Sequence, residues 1–429
     1  MTWDTDLKLE PYWWEAGPRP MPPPAPLPQR VEVAIVGSGY TGLSAALTLA
    51  RAGRNVLVMD REAAGWGASS RNQGHVGASF KRSFQGLRQA YGSERAERIH
   101  REGQAAIEHT KALIESELID CHLSKSGRFI AAWNAAHFEA LAQETEQRMA
   151  RTDLDAQIVD AAHVHEHVGS ERFCGGVYLP REASLHGARF HLGLLKVAKR
   201  AGVAVHAHTD VQTIERDQTG HRLHTSRGRL HADQVLIATN GYTGALLPAL
   251  RRRIVPVNSF GIATELLTPE IIAQLMPGGR PCINTLKLSH GFRIAPAENR
   301  IIFGTRPTRA HGDLRAAAAH LRRELCTVFP QLQAKAITHA WTGYVGFPFD
   351  FLPHAGEHEG IHYAMGYCGY GVSLAPYLGN KIALRMLGDA DGSTVFAELP
   401  FETRPLYFGS PWFIPPMMLY YRWLDRRAS

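Results

Sequence analysis

The sequence predicts an α/β (α+β) fold in which a parallel-sheet domain is interleaved with a second domain built on a mixed, largely antiparallel sheet. Three observations predict it. Short apolar strands alternate with helices at both ends of the chain, and the stretch between those ends is rich in strands. Residues 31–60 also read as a strand, a glycine-rich turn, a helix and a second strand that ends on an acidic residue.

In chain order, residues 31–36 (VEVAIV) are a short apolar run suited to a buried parallel strand. Residues 40–52 read as a helix ending near Gly53, and 55–59 as the second strand. Stretches 88–118 and 135–150 look helical, with a strand at 127–132 between them. Residues 189–201 form an amphipathic helix ended by Gly202, followed by the strand VAVHAHTDV, a hairpin around Gly220 and Gly228, and a buried strand at 235–238. Strands at 254–266, 282–288, 291–295 and 300–304 and a helix at 314–327 fill the middle. A last strand at 361–364 and a last helix at 371–388 restore the alternation.

The ends differ in character. Residues 18–28 (PRPMPPPAPLP) are too proline-dense for a helix or a central strand, so they read as an extended spacer. It follows an aromatic start (Tyr12, Trp13, Trp14) expected to pack on the domain surface. The tail RPLYFGSPWFIPPMMLYYRWLDRR is expected to pack across the domains, its prolines breaking any long amphipathic helix; contact with a membrane or a partner subunit is the alternative.

Composition narrows the function classes. A chain of 429 residues, 45% apolar and 20% charged, has the make-up of a globular protein with two or more cores. There is no apolar run long enough for a transmembrane segment and no signal-like start. The net charge of +7 is dispersed, and its densest run, Arg251–Arg253, reads as a solvated helix end or loop rather than a nucleic-acid patch. Five scattered cysteines without a CxxC pair argue against a disulfide framework or a zinc site and for a reducing cytoplasm. The run His163, His165, His167 lacks acidic partners at ligand spacing, so no metal is expected. A homo-oligomer is compatible with all of this.

The strongest motif is VAIVGSGYTGLSAALTLARAGRNVLVMD, a Rossmann-like dinucleotide fingerprint. Gly37 permits the tight turn, Gly39 the approach of a pyrophosphate, and Gly42 the close packing of helix on strand. Ser38, Tyr40 and Thr41 lie in the same turn, whose helix N-terminus suits phosphate. Asp60, 23 residues after Gly37, is placed to accept ribose hydroxyls, with Arg61 beside it. NAD and FAD share this fingerprint. The following loop, GWGASSRNQGHVG, combines small residues (Gly67, Ala68) with hydroxyls (Ser69, Ser70) and a cation, Arg71, that can meet phosphate oxygens.

This unit, with GASSRNQGHV, DQVLIATNGYTGALLPALRRRIVPV, HGFRIAPAENRIIFGTR and the segment at 340–383, resembles the FAD-dependent D-amino-acid oxidase superfamily over roughly residues 30–390. The YWWE start and the GASSRN loop look closest to its γ-glutamylputrescine oxidase-like branch. The resemblance implies an FAD-binding domain of the glutathione-reductase type over 31–95, 165–255 and 335–395. It implies a substrate domain over 96–164 and 256–334, leaving 1–30 as the aromatic segment with its spacer and 396–429 as a tail. It further implies that Ser69, Arg71, Asn72, Gly74, His75 and Val76 line the flavin, and that Val211 holds the adenine. Thr239, Asn240 and Gly241 would pass the pyrophosphate. Gly369, Tyr370, Gly371, Val372 and Ser373 would bring a second helix N-terminus to the pyrimidine end, where negative charge develops.

The sequence departs from the family pattern in three places. Where relatives clamp a substrate carboxylate with arginine, in a WxGxRP-like segment, this chain has Val345. Arg293 is the replacement candidate, with a structural ion pair as the competing role. No cysteine occupies the segment used for covalent attachment, so FAD is expected to be noncovalent; Cys368 reads as a packing residue, and His75 is the alternative attachment point. The strand at 300–304 lacks the lysine that some oxidases place near the flavin.

The resulting expectation is oxidation of a primary or secondary amine to an imine by hydride transfer, then hydrolysis. No obligatory side-chain base is needed; Tyr344, Trp341, Arg293, His354 and Tyr370 are the candidates for shaping the pocket. The acceptor is oxygen or a quinone-type carrier. Competing readings are a D-amino-acid, glycine or sarcosine-type oxidase, a quinone-linked amino-acid dehydrogenase, an NAD-dependent dehydrogenase, and a non-catalytic flavin-binding subunit.

Overall fold

The computed structural model describes residues 7–19, 26–306 and 313–427. Its first sheet is parallel at the centre. Arg30–Val36 lies between Val56–Met59 and Gly228–Ile237, and Ala204–His206 and Ile361–Met365 extend the two sides in the same direction. These strands are apolar on both faces because both faces are covered: Ala34, Ile35, Leu57, Val58, Val235 and Leu236 have no solvent exposure. His354–His358 and the Val211–Asp217/Gly220–Thr225 pair add antiparallel edges.

The helix Tyr40–Arg51 packs on Gly371–Met386. Their closest approach is at Gly379, where a Cβ would lie 2.4 Å from the Thr41 carbonyl oxygen. The approach brings the N-termini of both helices toward one region, at the C-terminal edge of the parallel strands.

The second sheet runs Ile337–Phe347, Val255–Thr264, Ile301–Thr305, Gly291–Ile294, Cys282–Asn284, Arg128–Ala131, Gly176–Leu179, Gln157–Val159. All its pairings are antiparallel except Cys282–Asn284 with Arg128–Ala131. It claims two strands that a division at 165 and 335 assigns to the first domain, Gly176–Leu179 and Ile337–Phe347. Both are half of a ladder whose other half lies in the second sheet, and pairing, not position in the chain, decides membership.

Several elements differ from their sequence reading. The stretch 88–118 is two helices, Phe84–Tyr91 and Ser93–Ser116, broken at Gly92, whose φ of +82° ends the first. VAVHAHTDV is two strands, Ala204–His206 and the start of Val211–Asp217, separated at His208 with φ of +50°. The tail does form a helix, Ile414–Arg427: Pro415 and Pro416 fall in its first turn, where the missing N–H groups have no intrahelical partners to lose.

The N-terminal segment penetrates more deeply than surface packing. Lys8 bridges to His339 beside the long strand Ile337–Phe347. Trp13 is fully buried with Tyr12, Ala188, Ala263, Ala295, Ile302 and Trp341, where residues of both sheet systems meet. Part of the proline-rich spacer, residues 20–25, lies outside the described residues.

Candidate active site

Two abutting cavities occupy the space between the sheets. The first, about 480 Å³, follows the C-terminal edge of the parallel strands; the second, about 190 Å³, lies against the second sheet. Ala68, Asn72, Tyr344, Val345, Gly369 and Val372 line both, so they meet end to end.

The first cavity begins at Asp60, Arg61, Glu62 and Val211, passes the turn at Gly37, Gly39, Tyr40 and Thr41, then Gly67, Ala68 and Ser69 on one wall and Thr239 and Asn240 on the other, and reaches Gly371. The turn is built as its glycines require. Gly37 has φ of +108°, and a Cβ on Gly42 would lie 1.9 Å from the Gly37 carbonyl oxygen. Gly42 therefore serves helix–strand contact and does not face the cavity. Neither the helix Tyr40–Arg51 nor Gly371–Met386 has a side-chain N-cap, so both direct backbone N–H groups and a positive dipole end toward the cavity. A pyrophosphate and a flavin ring whose pyrimidine edge carries negative charge suit such a donor set.

Asp60 is half-buried. Its Oδ2 accepts from the Ser38 N–H (2.9 Å) and Ser38 hydroxyl (2.6 Å), and Oδ1 accepts from the Glu62 N–H at 3.0 Å. Burial pushes its carboxyl above the ordinary range, and these donors pull it back. Ser38 thus serves the turn through Asp60. Below it, His191 holds its Nε2 2.7 Å from the Ser38 carbonyl oxygen while Nδ1 lies 3.1 Å from Arg19 Nη1. The imidazole is neutral, its pKa held at about 3 by burial and then by Arg19.

The loop after the second strand is bonded inward. The Ser69 hydroxyl accepts from the Tyr40 N–H (3.0 Å), and the buried Ser70 hydroxyl donates to the Gly65 carbonyl (2.6 Å). Asn72 caps the loop, donating to the carbonyls of Ala68 and Ser69 and accepting from Gly74 N–H. Arg71 lines the second cavity, not the first. It donates to the carbonyls of Trp66 (2.7 Å) and Thr342 (3.1 Å) and lies against the rings of Trp14 and Trp66, at 4.7 and 4.2 Å. Its guanidinium is thus held by carbonyls and by cation–π contacts at the wall of the second cavity, not in the first cavity where a phosphate contact was expected.

Other expected residues act as supports. Gly74, with φ of +72°, would place a Cβ 1.9 Å from the Leu185 carbonyl oxygen. Val76 is wholly buried, and the Ser373 hydroxyl donates to the Gly77 carbonyl at 2.6 Å. Gly241 packs at 3.0 Å, by its would-be Cβ, from the Gly346 nitrogen, and Asn240 Oδ1 accepts from Gly366 N–H at 2.8 Å.

The second cavity is walled by Phe260, Trp341, Tyr344, Phe347 and Tyr370. Trp341 donates its indole N–H to the Arg71 carbonyl at 2.9 Å. His75 also faces it and is neutral: burial, then Arg293 and Arg128, hold its pKa well below the ordinary value. Lys81, Arg128 and Arg306 line the same space, and among its described lining residues there is no carboxylate. Arg128 pairs behind the wall with Glu182 at 2.6 Å, both nearly inaccessible. Lys81, an exposed residue, keeps its ammonium 5.9 Å from the Tyr370 ring centroid at the cavity wall. Desolvation lowers its pKa, and Arg306 and Arg128 lower it further. The Tyr370 hydroxyl is displaced downward against the effect of burial, chiefly by Lys81 and Arg128.

Two expected pocket residues lie elsewhere. Arg293 lines neither cavity and pairs with no carboxylate among the described residues: its Nη1 donates to the carbonyls of Gln73 (3.0 Å), Gly74 (3.3 Å) and Leu185 (2.9 Å). His354, which opens the edge strand His354–His358 and lines neither cavity, stacks on Phe401 at 4.1 Å and bonds Asp350 at 3.1 Å. The histidine run places His167 in a stack on Phe129 with Arg280 Nη1 at 2.6 Å, and no metal-ligand cluster exists among the described residues.

Sequence reasoning did not single out Lys81, Arg128 or Arg306. Lys81 follows the glycine-rich loop 65–77 by a few residues, Arg128 opens the strand read at 127–132, and Arg306 ends the segment HGFRIAPAENRIIFGTR. A cation terminating an apolar strand or loop was the available signal.

Fold and cavity together define a flavin-dependent oxidoreductase. The chain belongs to the DAO family of FAD dependent oxidoreductases, which it matches over residues 32–385. It is 30% identical over 409 residues to the probable oxidoreductase OrdL of Rhizobium meliloti (strain 1021), covering 94% of this chain and 95% of that one. It is 28% identical over 376 residues to the gamma-glutamylputrescine oxidoreductase of Escherichia coli (strain K12), covering 87% and 88%. The glycine oxidase of Geobacillus kaustophilus shares the fold, with a TM-score of 0.73 at 22% identity over 88% of this chain and 99% of that one. The cofactor is FAD.

Proposed function

We propose that this enzyme oxidises a primary or secondary amine that carries a carboxylate, either a γ-glutamylputrescine-like amine or an N-substituted amino acid, to an imine that water then hydrolyses. The observation that carries this reading is the second cavity, which abuts the first near Gly369 and Val372 and presents Lys81, Arg128 and Arg306 with no carboxylate among its described lining residues. When bound, FAD supplies the two-electron acceptor for the C–H bond next to nitrogen.

The chain's own residues do the rest. The cations attract the substrate carboxylate and disfavour an ammonium group, so the amine reacts in its neutral form. Trp341, Tyr344 and Tyr370 exclude water from the reacting carbon. The N-terminus of Gly371–Met386 favours negative charge at that end of the first cavity. FAD is held noncovalently in this reading. Oxygen and a quinone-type carrier are the two acceptor classes, and the free cysteines suit a cytoplasmic setting.

Anaerobic flavin reduction tests the reading with γ-glutamylputrescine, N-alkyl amino acids and putrescine, which has no carboxylate. The carboxylated amines should reduce the flavin at least about 10-fold more efficiently than putrescine, as one charge-assisted contact allows. Equal reduction by putrescine, or no reduction by any carboxylated amine, sinks it.

A further inference from the structure

The end of the chain builds a surface that neither cavity uses. Leu406 (71%), Phe408 (63%), Trp412 (63%), Leu419 (50%), Tyr420 (55%) and Trp423 (47%) are large apolar side chains left exposed within one 18-residue stretch. Their arrangement is ordered. In the helix Ile414–Arg427, positions 416, 419, 420, 423 and 427 recur at steps of one, three or four and share a face. Tyr420 stacks on Trp423 at 5.9 Å, and the Arg427 guanidinium lies 4.1 Å from the Trp423 ring. At the foot of the helix, Trp412 donates its indole N–H to the Leu406 carbonyl at 3.2 Å, tying the preceding loop to it.

The opposite face is anchored. Met418 is buried in a cluster with Val255, Val257, Phe347 and Tyr407. The Asp425 carboxylate accepts from the N–H groups of Lys287 (2.8 Å) and Leu288 (2.9 Å). The one acidic residue in the helix is thereby turned inward. Arg404, Arg426 and Arg427 are exposed around the apolar stripe, and Arg252 covers Phe408 at 4.8 Å. The exposed carboxylate nearby, Glu402, is paired with Arg404 at 2.6 Å.

We propose that this face docks on an anionic phospholipid surface. Tryptophan, tyrosine and leucine ringed by arginine are the side chains that settle at a bilayer's headgroup boundary, rings inward and guanidinium groups among the phosphates. The helix lies along such a surface and does not cross it: no helix among the described residues is long and apolar enough to span a bilayer. Charge complementarity selects the occupant. A second copy of this chain would set Arg426 and Arg427 against their own copies across a two-fold axis, whereas a phosphatidylglycerol surface supplies both with counter-charge.

Cosedimentation of the full-length FAD-loaded protein with vesicles tests this. Binding is expected to vesicles containing phosphatidylglycerol, weak binding to pure phosphatidylcholine, and loss of binding as salt rises. L419E/W423E should lower the bound fraction at least about tenfold, and R426E/R427E should remove the preference for anionic lipid. Both variants should keep the wild-type flavin spectrum and amine turnover, which shows that they are folded. Absence of wild-type binding to anionic vesicles overturns the proposal. So does a wild-type dimer, seen by light scattering, that L419E/W423E dissociates, because the face would then be a self-interface.

Discussion

The indole N–H of Trp14 donates to the Ser70 hydroxyl at 2.9 Å, and Ser70 passes the bond on to the Gly65 carbonyl at 2.6 Å. A residue far upstream of the nucleotide fingerprint thereby buttresses the loop that walls the cofactor cavity. Trp14→Phe removes the donor and keeps the ring against Arg71. It should cost about 1 kcal/mol locally and speed FAD release several-fold, read by dilution-induced flavin fluorescence. Trp13→Ala empties a fully buried site and should lower stability by about 3–5 kcal/mol in a thermal melt.

Gly42→Ala should give a protein without bound flavin, if it folds at all. The added methyl would meet the Gly37 carbonyl at 1.9 Å, and neither backbone can move without displacing helix or strand. Flavin retained at wild-type stoichiometry after purification would contradict this account of the turn.

His191 sets a pH dependence. Its folded pKa of about 3 lies below the ordinary histidine value, so the unfolded chain takes up the proton first. The stability it contributes is complete above about pH 6.5 and is lost as pH falls toward the folded value. His191→Gln can keep a donor to the Ser38 carbonyl and does not titrate. Between pH 7 and pH 5 the wild type should lose about 2 kcal/mol more than this variant. Parallel unfolding curves would show that protonation of His191 is not involved.

The cations of the second cavity should separate by role. Arg128→Met leaves Glu182 buried without its partner and should destabilise the fold by about 3–5 kcal/mol. Lys81→Met strips a charge from the cavity wall with little effect on stability. It should raise KM for a carboxylated amine about 10-fold and leave a carboxylate-free amine unchanged. Equal losses for both substrates would assign Lys81 to general positioning.

Much of the architecture could be read from the chain because it is local. The spacing of Gly37, Gly39, Gly42 and Asp60 is a covalent property of one strand–turn–helix–strand unit, and apolar runs such as 31–36 and 235–238 report burial on both faces directly. The family followed from several such units in order. Boundaries failed where one residue's backbone decided them, as at Gly92 and His208, or where prolines fell into a helix's first turn instead of its middle.

The dinucleotide turn, the alternation of strand and helix, and Val345 in place of an arginine can all be read along the chain. The destinations of the charged side chains were set by packing between distant segments. Arg71 and Arg293 were drawn onto backbone carbonyls, Arg71 at the wall of the second cavity and Arg293 outside both cavities. His354 was stacked against Phe401, while Lys81, Arg128 and Arg306, from three distant segments, came to line one small cavity. The reason is physical: a glycine's role depends on its own φ and its nearest neighbours, whereas a long cationic side chain goes wherever the fold leaves carbonyls, rings or open space within its reach.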